Sequence, residues 1–125
     1  MTLNQVTLPT RNISNAVAFY KKMGFQHIVA AGHYARFVCP EGESTFSLHH
    51  INEAINNHRV VIYFECRDLD QRVEQLQEIG FTFRQAPKDE PWLWREARLL
   101  DPDNNEICLY WAGDNRLNPP WRLSD

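Results

Sequence analysis

The spacing of hydrophobic positions changes along this chain, and the changes mark its elements. Polarity alternates through Leu3–Leu8, which predicts a strand closed by Pro9. Val17, Tyr20 and Met23 then recur at helical spacing. They predict a helix to about Met23, with Asn12 or Ser14 as N-cap and Gly24 as a left-handed C-cap. Strands are expected at Phe25–Ala30, His33–Cys39 and Thr45–His50, the last two joined by Pro40-Glu41-Gly42-Glu43. Ile51–Asn57 reads as a linker.

A second series follows. Val60–Cys66 is β-branched and aromatic and predicts a strand. Asp68 with Gln71 resembles a capping box, and Leu69, Val73 and Leu76 form the stripe of a helix over Asp68–Ile79, ended by Gly80. Phe81–Arg84 is expected as a strand and Gln85–Pro91 as a polar loop leading to Trp92-Leu93-Trp94. Arg95–Leu100 and Glu106–Tyr110 read as strands flanking the turn Asp101-Pro102-Asp103-Asn104-Asn105. The tail from Gly113, with Pro119-Pro120-Trp121, can continue neither a helix nor a central strand.

The two series are copies of one pattern. Ala35–Gly42 lies over Ala97–Asn104 at an offset of 62, and Phe46–His49 over Ile107–Tyr110 at 61. Val17, Tyr20 and Met23-Gly24-Phe25 lie over Val73, Leu76 and Ile79-Gly80-Phe81 at an offset of 56. Strand, helix, Gly-Phe and three further strands therefore occur twice. The fold class is α+β: two βαβββ modules whose curved mixed sheets form a concave, partly closed pocket. Module one is 1–56, module two is 57–112, and 113–125 is the tail.

Strand alternation sorts the side chains into two faces. Val6, Leu8, Phe46, Leu48, Val60, Ile62, Phe64, Leu99, Ile107 and Leu109 should face the helices. Gln5, Thr7, Ser47, His49, Val61, Tyr63, Glu65, Glu96, Arg98, Cys108 and Tyr110 should face the other way. Polar groups among aromatics on a concave face suit a small-molecule site. The candidate ligand-binding residues are His49, Tyr63, Glu65, Trp94, Glu96, Arg98 and Tyr110; Trp92 and Trp121 could add stacking faces. No catalytic residue is assigned.

Composition narrows the partners. The chain has 125 residues and a net charge of −3, with basic residues scattered, which speaks against nucleic acid. No apolar run approaches a membrane span and no leader pattern opens the sequence, so a cytoplasmic location is expected. Cys39, Cys66 and Cys108 are odd in number with no C-x-x-C spacing, as expected of reduced thiols.

The paired modules, Ala16-Val17-Ala18-Phe19-Tyr20-Lys21-Lys22-Met23-Gly24-Phe25 and Asp101–Tyr110 together resemble the vicinal oxygen chelate superfamily: glyoxalases, extradiol dioxygenases and bleomycin-resistance proteins. The resemblance implies metal-ligand positions at Gln5, Ser47, Val61 and Cys108. Only Gln5 is a usual ligand there, so no metal or other cofactor is expected. The functional expectation is a protein that binds a small organic molecule without the usual divalent metal, as a homodimer. The alternative is a lyase or dioxygenase-type enzyme with a displaced metal or acid–base site around His49, Glu65 and Glu96.

Overall fold

The computed structural model describes residues 3–54 and 60–124. The chain divides into two compact units, Met1–Arg59 with Asp101–Asn105, and Val60–Leu100 with Glu106–Asp125. Each unit carries one helix and one open, mixed four-stranded sheet.

In the first unit, β1 (Gln5–Thr10) leads into α1 (Ile13–Met23), then β2 (Gln26–Ala31), β3 (Tyr34–Val38) and β4 (Thr45–His50). The sheet order is β1-β4-β3-β2, with β1 parallel to β4 and the remaining pairs antiparallel. Pro9 does not close β1 but sits inside it, in register with His49. An edge strand tolerates proline because its outward side needs no N–H. Asn12 caps α1 by accepting from the Asn15 amide at 3.0 Å, and Gly24 ends it at φ 113°.

The core of this unit is aromatic. Tyr20 packs edge-on against Phe46, centroids 4.9 Å apart, and Phe37 stacks on Phe46 at 5.2 Å. Burying each such ring is worth about 1.5–3 kcal/mol. The Tyr20 hydroxyl, itself buried, donates to Asp101 Oδ2 at 2.7 Å. Asp101 also accepts from the amides of Asp103 and Asn105 and from Asn105 Nδ2, so one carboxylate organises the whole turn. Burial still lifts the Asp101 carboxyl above its ordinary value, against the pull of these bonds.

In the second unit, β5 (Val61–Glu65) leads into α2 (Leu69–Glu78), then β6 (Gln85–Asp89), β7 (Arg95–Leu100) and β8 (Glu106–Trp111). The order β5-β8-β7-β6 repeats that of the first sheet. Leu69, Val73 and Leu76 are buried, as their spacing predicts. Four expectations change. Val60 lies outside β5 and is 63% exposed rather than facing the helix. The Asp68 side chain makes no cap bond, so no capping box forms. The strand expected at Phe81–Arg84 begins only at Gln85, where pairing with Arg98 starts; Phe81 is spent as a buried plug after α2. The segment expected as a loop is thus an edge strand, with Pro87 at its irregularity. A short 3-10 turn at Gly113–Arg116 opens the tail. Part of the expected linker Ile51–Asn57 lies outside the described residues. Among those described, no helix is long and apolar enough to cross a membrane.

Candidate functional site

The second sheet's face away from α2 gathers most of the candidate residues in rows. The register sets Glu65, Tyr110 and Glu96 side by side across β5, β8 and β7, and Tyr63, Cys108 and Arg98 in the next row. Glu96, Cys108 and Tyr110 are all buried, so this face is not simply solvated. Trp94 stacks on Tyr110 with centroids 4.5 Å apart at 17°, and Tyr63 stands edge-on to both at 5.9 and 5.7 Å. Tyr63 remains 45% exposed and offers ring surface to solvent.

Glu96 is the electrostatic centre of this face. It is 1% exposed, and its two oxygens take different donors: Arg98 Nη2 at 2.9 Å on Oε1 and the Trp92 indole N–H at 2.7 Å on Oε2. Arg98 also donates to Glu106 Oε2 at 3.3 Å and to the Tyr63 hydroxyl at 3.4 Å. Burial raises the Tyr110 phenol above its ordinary value, helped by Glu65. Glu65 is a third open, and among the described residues its ion-pair partner is Arg116, at 4.0 Å.

Trp92 reaches Glu96 through an unusual turn. The Leu93 amide donates to the Glu90 carbonyl and the Glu90 amide to the Trp94 carbonyl, closing a three-residue hairpin loop. Leu93 sits at φ 68°, the left-handed position that such loops normally give to glycine.

In the first unit, the face away from α1 is polar but differently built. Gln5 Nε2 donates to Ser47 Oγ at 2.7 Å, while Gln5 Oε1 takes the Thr45 hydroxyl. Ser47 Oγ meets the Tyr34 hydroxyl at 2.5 Å, and Arg36 Nε donates to that hydroxyl at 3.0 Å. These bonds, from Ser47 first and Arg36 second, hold the Tyr34 phenol below its ordinary value. Tyr34 and Arg36 were not among the expected site residues. The alternation that places Ala35 and Phe37 toward the helix was enough to find them. His49 is exposed on β4, in register with Tyr34, its ring 6.2 Å from that of His33.

Of the four positions that the resemblance marks for a metal, two are engaged in hydrogen bonds with neighbouring side chains. Gln5 and Ser47 are engaged with each other and with Thr45 and Tyr34. Val61 carries no donor atom. Burial, reinforced by Glu96, pushes the Cys108 thiol up to about 12, so it is not a thiolate at neutral pH. Among the described residues, no three His, Cys, Asp or Glu side chains come together in a way that could hold an ion. Within the second unit, Tyr110 stands between Glu65 and Glu96.

Comparison with known proteins agrees with the fold. The sequence profile of the Glyoxalase/Bleomycin resistance protein/Dioxygenase superfamily matches residues 2–109. No curated protein matches the chain in sequence. A glyoxalase/bleomycin resistance protein/dioxygenase from Nocardioides has a similar fold, with a TM-score of 0.80 at 20% identity over 99% of this chain and 90% of that one. A bleomycin-binding protein complexed with bleomycin is similar at a TM-score of 0.74 and 19% identity, covering 89% of this chain and 98% of that one. So is a bleomycin resistance determinant encoded on the transposon Tn5, at 0.76 and 18%, covering 89% and 98%.

Proposed function

Because this chain belongs to the glyoxalase/bleomycin resistance protein/dioxygenase superfamily, we propose that it binds a small aromatic molecule on the aromatic face of its second unit, without a divalent metal. The observation that carries this reading is the buried Glu96 carboxylate beside the Tyr63, Trp94 and Tyr110 rings. Stacked rings with one open tyrosine face supply area for a planar ligand. Glu65, only loosely paired with Arg116 at 4.0 Å, favours positive charge on it, and the rings add cation–π attraction. Binding of bleomycin by a protein of similar fold supports capture as a use of this architecture. The metal-free part rests on the chemistry at Gln5, Ser47, Val61 and Cys108, where engaged amide and hydroxyl groups, a hydrocarbon and a protonated thiol are poor partners for a hard cation.

The test is quenching of tryptophan fluorescence by N-methylquinolinium, against neutral quinoline as a control. Saturable quenching that is stronger for the cation, and lost in Tyr63→Ala, is expected. Equal, non-saturating quenching by both would overturn the proposal.

A further inference from the structure

We propose that the polar face of the first sheet is a binding site for a small oxyanion, a carboxylate or a phosphate, received by the outer nitrogens of Arg36 and the hydroxyl of Tyr34. The argument begins with charge. The register places Gln5, Thr7 and Pro9 of β1, Thr45, Ser47 and His49 of β4, Tyr34, Arg36 and Val38 of β3, and Gln26, Val29 and Ala31 of β2 on this face. None is acidic, in a chain that carries 16 Asp and Glu against 13 Lys and Arg.

Among the described residues, no carboxylate pairs with Arg36. Arg11, Lys21, Arg67, Arg72 and Arg122 also lack one among the described residues, but all of these are exposed, whereas Arg36 is half-buried. A half-desolvated guanidinium without a counter-charge is costly unless something fixes and later neutralises it.

Something does fix it. Arg36 Nε donates inward to the Tyr34 hydroxyl at 3.0 Å, and the guanidinium carbon lies 5.5 Å from the centre of the Tyr34 ring. Tyr34 is in turn held by Ser47, which is fully buried and receives Gln5 Nε2. Nε is therefore spent on positioning, while Nη1 and Nη2 make no hydrogen bond among the described residues. Two parallel N–H donors on a pre-set guanidinium suit two oxygens of one carboxylate or phosphate. Ser47 can give its proton to the Tyr34 oxygen, which frees the phenolic proton as a third donor. Tyr34 both orients Arg36 and offers a donor of its own, while Ser47 is a positioning residue, a support behind the contact groups.

The measurement is a titration followed on the arginine Nε–H signals by NMR, with inorganic phosphate in one arm and acetate in the other. The Arg36 signal should shift saturably with at least one probe, well beyond the shifts of exposed Arg11 and Arg72. The arm with the tighter saturation tells phosphate from carboxylate. Arg36→Lys keeps the charge but loses the paired donors and should weaken binding about tenfold. Tyr34→Phe and Ser47→Ala should each weaken it several-fold without changing the charge. A linear shift no larger than that of Arg11 overturns the proposal, as does Arg36→Lys or Tyr34→Phe binding both probes like the parent. Glu96→Gln should leave phosphate and acetate binding unchanged, which separates this site from the aromatic face.

Discussion

Each oxygen of Glu96 faces a different N–H donor, and this makes its replacement by glutamine informative. An amide keeps one oxygen, so its NH2 group must confront either the Trp92 indole or the Arg98 guanidinium. One buried donor is then unsatisfied. Glu96→Gln should cost about 1–3 kcal/mol in urea unfolding and weaken N-methylquinolinium binding. Cys108 gives a chemical readout of the same neighbourhood. With its thiol pushed up to about 12 and no exposed surface, it should resist iodoacetamide near neutral pH in the folded protein and react once urea unfolds the chain. Mass spectrometry of the alkylated peptides decides the point.

Among the elements, the Asp101–Asn105 turn and the Trp92 hairpin loop carry most of the unusual chemistry. Burial, with Asp101 beside it, raises the Tyr20 phenol well above its ordinary 10.0. The unfolded phenol therefore ionises first as pH rises. Its contribution to stability is complete below about pH 10 and declines above it, by up to about 1.4 kcal/mol per pH unit. Tyr20→Phe should flatten that alkaline decline while costing about 1–3 kcal/mol at neutral pH, both read from urea midpoints. Leu93→Gly works in the opposite direction. It relieves about 1–2 kcal/mol of left-handed strain against about 0.5–1 kcal/mol of added chain entropy, so the midpoint should rise slightly. These elements also show what was legible in the sequence. Both helices, the Asp101–Asn105 turn and seven of the eight strands follow from periodicity, glycine and proline. The sixth strand in chain order, Gln85–Asp89, does not, because an edge strand with proline needs no apolar alternation and takes its conformation from its partner. The aromatic cluster of Tyr63, Trp94 and Tyr110 was legible from alternation. The Trp92–Glu96 bond was not, because it depends on a leucine in a backbone position that leucine seldom takes.

At the scale of the whole molecule, metal-free binding and metal-dependent chemistry predict different responses of global stability. A ligand that binds only the folded chain raises its stability by RT ln(1 + [L]/Kd), about 2.7 kcal/mol at a hundredfold excess over Kd. If the aromatic face captures its ligand unaided, N-methylquinolinium should raise the melting temperature by several degrees, and equally with and without EDTA. If a cation completes the site, EDTA should abolish the shift, and adding back Ni2+, Zn2+, Mn2+ or Fe2+ should restore it. Metal content of untagged protein supplies the second axis. Stoichiometric metal that disappears in His49→Ala would place the chemistry at a displaced centre and overturn the metal-free reading. A shift indifferent to chelator, in protein with only trace metal, would mean that this chain keeps the superfamily's fold and binds its ligand through rings and fixed charges instead.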